Sequence, residues 1–312
     1  MLESNNYYTI EIENLRDFIT IIYVIIDDIY QEVTPTHIKE RRNIDKAILS
    51  DSEIITISIV GESLTIDSEK SWFNFVKKNL KDLFPQVCHR TRFNRTLRNL
   101  HTVIGEISKK LTQILNYQYD NYRIVDSMPI PVCEFARAHF NKTFSEAEYG
   151  NCASKKETYF GFKLHALVTL NGYITDFNLT PANVDDRETL WELTSPYHSL
   201  KIIGDKGYIS NDLNDILKDE KNIDLIPIKR KNSKTPYSES FKRTISKIRR
   251  RIETSFSQLT DQLNISNVLA KSLWGLTVRI KVKILAHNLG YFINKSLGKT
   301  VTIGRIKDLI FG

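Results

Sequence analysis

At 312 residues, with 41% hydrophobic and 26% charged side chains, the chain is long enough for one large or two smaller domains, and its composition is that of a folded soluble protein. A formal charge of +7 favours an acidic partner, above all nucleic acid. Three isolated cysteines, Cys88, Cys133 and Cys152, argue against a zinc knuckle and for a reducing compartment, and the apolar stretch 18–26 ends at Asp27-Asp28, too short to span a bilayer and without signal-peptide flanks.

The first third reads as helical. Leu15, Phe18, Ile19, Ile22, Ile25, Ile26 and Ile29 share one helical face, and Pro35 stops the run. A second helix starts at about 51, with Ser50 or Asp51 as its cap, and is expected to break at Gly61. A third follows Ser68 and stops before Pro85. A fourth begins near Arg90 and carries Phe93, Leu97, Leu100, Ile104, Ile107, Leu111 and Leu115. Residues 1–115 are therefore expected to form an all-helical domain. Within it Arg90, Arg92, Arg95 and Arg98 make one basic helix, a candidate helix-turn-helix-like DNA reader with the short helices before it.

Beyond 115 the period changes. Residues 122–126 form a strand candidate, and 160–170 with 173–180 form a hairpin around Asn171-Gly172. A short helix to Leu193 follows, opened by Asn183-Val-Asp-Asp, with Asp185 and Asp186 read as caps. Then come a strand at 200–204, a helix at 211–218 with Asp212 as a cap, a strand at 223–228, a helix from 240 to 263 and a last helix at 273–293. This order describes a mixed five-stranded sheet flanked by helices, an α/β domain over 116–295, with 296–312 as a tail.

Three acids stand out: Asp126 at the end of the first strand, Asp205 after the strand 200–204, and Glu253 on a basic helix. Apolar strands belong inside a sheet, so acids at their ends face the cleft where sites form. Oxygen ligands suit hard divalent cations, and surrounding positive charge suits a polyanion. From 229 to 251 lysines and arginines recur with Glu239 as the only acid, and Pro236 and Tyr237 mark a loop; this is a candidate phosphate-gripping surface. Taken singly, each acid reads more simply as a cap, a loop residue or half of a surface ion pair. Their joint placement favours a site. His165, on the polar face of a strand, reads as structural, with a supporting role at a metal site as the lesser alternative. Leu297-Gly-Lys-Thr imitates the end of a phosphate-binding loop, but Ile293 stands where its glycine must be.

These residues resemble a bacterial DDE transposase of the insertion-sequence family numbered 982. The likeness rests on Val125-Asp-Ser-Met-Pro-Ile-Pro-Val-Cys133, Gly161-Phe-Lys-Leu-His165, Leu179-Thr-Pro-Ala-Asn183, Gly204-Asp-Lys-Gly-Tyr208, Arg250-Arg-Ile-Glu-Thr-Ser-Phe-Ser-Gln-Leu259 and Ala270-Lys-Ser-Leu-Trp-Gly275. It implies a ribonuclease-H-like core in which Asp126, Asp205 and Glu253 are catalytic and bind Mg²⁺, with Mn²⁺ able to substitute. It matches Arg249 to the arginine of the related tyrosine-arginine-glutamate-lysine signature, whereas Ser246 and Thr260 replace the tyrosine and the lysine. Candidate DNA-binding residues are Arg249, Arg250, Lys206, Lys271, Arg92 and Arg95. The implied partners are insertion-sequence terminal repeats and target DNA, with no membrane. A homodimer or higher oligomer is expected because two ends must be synapsed, in a bacterial, cytoplasmic, nucleoid-associated setting. A metal nuclease that cannot join strands and a non-catalytic DNA-binding protein are the alternatives.

Overall fold

Ser, Asn and His residues that precede apolar periodic runs decide where most helices start. In the computed structural model, which describes residues 12–152, 156–230, 232–298 and Asp308, Asn14 caps α1 (Leu15–Val33) by accepting from the Arg16 and Asp17 amides. A four-residue helix, α2 (Thr36–Lys39), follows Pro35. Ser50 and Glu53 form a reciprocal capping box on α3 (Asp51–Ser63). Ser68 caps α4 (Glu69–Asn79), and His89 caps α5 (Arg90–Asn99). The helix expected to run on to 115 is instead divided. At Leu100 the N–H is shared between the Thr96 and Leu97 carbonyls, the last turn of α5 tightens, and α6 (His101–Ile114) begins at once.

Gly61 does not break α3, which continues to Ser63. Its missing side chain serves packing instead. A Cβ there would lie 2.6 Å from the Trp72 indole, which lies against the helix and donates to the Ile57 carbonyl at 2.7 Å. Gly61→Ala would push the indole off α3.

From Asn116 to Ser257 the chain forms a separate compact unit. Its strands are β1 (Tyr122–Pro131), β2 (Glu148–Cys152), β3 (Glu157–Val168), β4 (Ile174–Pro181), β5 (Lys201–Gly204) and β6 (Asp224–Pro227); α7 (Asp186–Leu193), α8 (Asn211–Lys221) and α9 (Glu239–Ser257) complete it. The sheet has six strands where five were expected, because β2, polar and without clear alternation, pairs antiparallel with the first part of β3. β1 runs antiparallel to β3 and parallel to β5, and β5 runs parallel to β6. Asn171-Gly172 turns the β3–β4 hairpin as expected, with Gly172 at a φ of 101° that other residues rarely adopt. Val125, Leu167, Leu190, Leu193, Ile202 and Leu217 pack α7 and α8 onto one face.

The helix expected over 240–263 changes character at its end: α9 stops at Ser257 and Gln258–Gln262 wind as a single π turn. From Gln258 onward the chain belongs with the helices that precede Leu115 rather than with the sheet, so α10 (Leu273–Ser296) leaves the 116–295 block in which the sequence placed it. The physical reason lies in α10 itself. Arg279 and Lys283, both buried, are neutralised by Glu62 of α3. Most of the 296–312 tail, including Lys299 and Thr300, lies outside the described residues, as does Lys231 of the basic run. Among the described residues no helix is long and apolar enough to cross a membrane.

His287 of α10 is fully buried between the side chains of Gln258 and Asn288, and burial lowers its pKa from 6.5 to about 4. The unfolded chain binds that proton more readily, so the contribution to stability is complete above pH 6.5 and is lost as pH falls toward 4. That window is worth on the order of 3 kcal/mol. Melting curves from pH 7 to 4.5 are expected to show a steeper loss of stability for the native chain than for His287→Gln; parallel slopes would contradict this.

Candidate active site

Asp126, Asp205 and Glu253 come from three elements of the sheet unit and meet on one side chain. β5 pairs with β1 only as far as Ile124↔Ile203, so Asp126 stands in the interior of β1 yet beyond the end of its parallel neighbour. Here the expectation of an acid at a strand's end is corrected: β1 continues to Pro131, paired with β3 alone. Asp205 directly follows β5 and precedes the tight turn Lys206–Tyr208. Glu253 lies on α9 next to the fully buried Ile252, one helical turn after Arg249.

Arg249 joins them. Its Nη2 donates to Asp126 Oδ2 at 2.8 Å and lies 3.7 Å from Asp205 Oδ2, while its Nη1 lies 3.5 Å from Glu253 Oε1. The three carboxylates therefore surround one positive charge. Exposure grades from Asp126 (17%) through Asp205 (41%) to Glu253 (56%), so the cluster opens outward from β1. Burial pushes the Asp126 carboxyl above its usual range, and Arg249 only partly offsets this. For Arg249, burial opposes the charge, but Asp126, Asp205 and Glu253 outweigh it and raise the guanidinium pKa; its buried Nε has no hydrogen-bond partner.

Three carboxylates without thiolate or imidazole suit a hard divalent cation in kind. As placed, no three acids, histidines or cysteines among the described residues stand close enough to hold an ion between them. The guanidinium occupies the centre they share. A cation and Arg249 would compete for the same oxygens, since like unit charges about 4 Å apart repel by about 4 kcal/mol at an effective dielectric of 20.

A second set of polar groups adjoins Asp126 across β1. Ser127 Oγ donates to Asp186 Oδ1 at 3.2 Å, and Lys163 Nζ donates to the same oxygen at 3.0 Å. His165 Nδ1 lies 3.6 Å from it. Asp186 was expected to be a cap, but Asp185 caps α7 by accepting from the Arg187 amide. Asp212 likewise lies inside the first turn of α8, which Ser210 caps. The overlooked signal was Lys163 and His165 two residues apart in the otherwise apolar stretch 160–168, hence on one face of β3.

Lys206, next to Asp205, and Arg250, next to Arg249, are both exposed. In the helical unit the other candidate cations fall into two clefts. Arg92 and Arg95 line one of about 430 Å³ with Arg42 and His89. Lys271 lines another, of about 340 Å³, with Arg90 and Arg98 at the start of α10. Arg41, at the edge of the first cleft, is already paired with Asp51.

Residues 116–272 match a family described as the transposase DDE domain. No curated protein and no solved structure matches the chain.

Proposed function

The chain belongs to the transposase DDE domain family, hence acts on DNA, and from that premise we propose that it cuts the ends of an insertion sequence and joins the freed 3′ ends to target DNA. The observation that carries the proposal is the convergence of Asp126, Asp205 and Glu253 on Arg249. Two motifs favour the insertion-sequence family numbered 982 within the DDE transposases: Gly204-Asp-Lys-Gly-Tyr208, and Arg249 followed four residues later by Glu253. A ribonuclease-H-like reading of the sheet is supported by its strands: β4 and β1 flank β3 antiparallel, while β5 and β6 continue from β1 in parallel.

In this reading Asp126, Asp205 and Glu253 are the catalytic acids and would hold Mg²⁺, or Mn²⁺ in its place. When bound, two such ions supply an activated water or 3′-hydroxyl and stabilise the leaving oxygen. The protein's own contribution is positional. β1 holds one carboxylate on strand backbone, the residue directly after β5 supplies the second, and α9 brings the third with Arg249 one turn away. Lys206, Arg249 and Arg250 place positive charge beside these acids, where a phosphate backbone must lie. Arg92, Arg95 and Lys271 extend phosphate gripping to the helical unit, with a dimer or larger assembly expected on paired ends.

The test is a strand-transfer assay with pre-cut ends carrying free 3′-hydroxyls. Mg²⁺-dependent insertion of those ends into a plasmid is the expected result. Cleavage of uncut ends without insertion would identify a nuclease instead, and binding with neither reaction under Mg²⁺ or Mn²⁺ would leave a DNA-binding protein.

A further inference from the structure

Consecutive residues of β1 project to opposite faces of the sheet. Asp126 reaches Arg249 of α9, and Ser127 reaches Asp186 of α7. The Ser127 backbone N–H also donates to Asp126 Oδ1 at 2.9 Å. Each Asp126 oxygen is thus held from a different side, Oδ1 by the peptide of Ser127 and Oδ2 by the guanidinium of Arg249.

We propose that Asp186, acting with Lys163 through Ser127, is a positioning residue for Asp126: it anchors the serine whose N–H orients that carboxylate. This rests on the reading of Asp126 as a metal-binding acid. Asp186 is free for the task because Asp185 does the capping. The hydrogen bonds of Asp186 converge on Oδ1, from Ser127 Oγ and Lys163 Nζ, and Lys163 is itself fixed by the Val184 carbonyl at 2.8 Å. Behind them His165, directly opposite Ser127 in the β1–β3 register and fully buried, is held by Thr180 Oγ1 at 2.9 Å. Burial lowers the His165 pKa to about 4, so the imidazole is neutral near pH 7. Lys163 balances Asp186, and the network brings a fixed acceptor to Ser127 without adding net charge beside the acidic cluster. The tether restrains the serine and, with the β1–β3 pairing, the peptide N–H that holds Asp126.

Supporting groups of this kind, when removed, weaken metal binding by about 10- to 100-fold. The experiment is a Mn²⁺ titration of the full chain read by electron paramagnetic resonance, with thermal melting of each variant in chelator. Asp186→Ala and Ser127→Ala are each expected to weaken Mn²⁺ binding by at least about tenfold. The double variant should be no weaker than the worse single one, because both cut the same connection. Ser127→Thr, which keeps the hydroxyl, should bind as the native chain does. Should Asp186→Ala fail to fold, the Ser127→Ala and Ser127→Thr pair decides, since both keep the Lys163–Asp186 contact. Native-like affinity in Asp186→Ala or Ser127→Ala, or losses that simply add, would overturn the proposal while leaving the active-site reading in place. A native chain that binds no more Mn²⁺ than Asp126→Asn would overturn both.

Discussion

Glu253→Gln is expected to reduce Mg²⁺-dependent DNA cleavage by about a thousandfold or more while leaving DNA binding and stability nearly unchanged. The substitution preserves size and helix propensity on α9 and removes one negative charge. Its structural cost is small: Glu253 is more than half exposed, its contact with Arg249 is 3.5 Å, and exposed ion pairs contribute about 0–1 kcal/mol. On the proposed reading its chemical cost is large, because one of three anionic oxygen donors would be lost where transition-state charge must be stabilised. Such stabilisation is worth several kcal/mol, and about 4 kcal/mol is a factor of roughly a thousand in rate. Binding should not suffer, since a carboxylate beside a phosphate backbone repels it. Nicking of end-containing DNA and gel-shift binding, measured side by side, check both halves. Cleavage within tenfold of the native chain would remove Glu253 from the site.

The largest effect on stability is expected in the helical unit, at Glu62. This carboxylate, 6% exposed, accepts from Arg279 Nε at 2.8 Å and from Lys283 Nζ, and lies 2.7 Å from Arg279 Nη2. Arg279 also donates to the Asp67 carbonyl, and Lys283 to that of Leu263. Burial pushes the Lys283 pKa below its usual range, and Glu62 resists the shift. Glu62→Ala would leave two buried cations without their anion, which typically costs about 3–5 kcal/mol. For a protein of this size that is a fall in Tm of roughly 10 °C. Glu62→Leu combined with Arg279→Met and Lys283→Met is expected to recover much of the loss, because the penalty comes from orphaned charge and not from lost attraction. Thermal unfolding of both variants tests this; a Glu62→Ala protein melting within two degrees of the native chain would refute it.

The division between what was legible and what was not follows the range of the interactions. Gly204-Asp-Lys-Gly-Tyr208 and the Arg249–Glu253 spacing are local patterns, and they single out Asp205, Glu253 and Arg249 as candidates without reference to any tertiary contact. The hairpin at Asn171-Gly172 was equally legible, because its turn demands a residue tolerant of positive φ. Asp186 was not, since an acid in the first turn of a helix looks the same whether or not it also meets a serine 59 positions away. β2 escaped because its pairing with β3, and not any alternation of its own, makes it a strand.

What the sequence alone determined was therefore short-range: where helices are capped, where the chain turns, and which acids stand beside basic runs. Capping, periodicity and turn geometry act over a few residues, and their signals lie side by side in the chain. Tertiary structure alone decided that one guanidinium meets all three acids, that Ser127 links two carboxylates on opposite faces of β1, and that α10 packs with the N-terminal helices. In α10 apolar residues surround the helix on every side, so no single face announces a partner. Its buried cations meet their anion, Glu62, only across more than 200 positions of chain, in a pairing that exists only after folding has removed both from water.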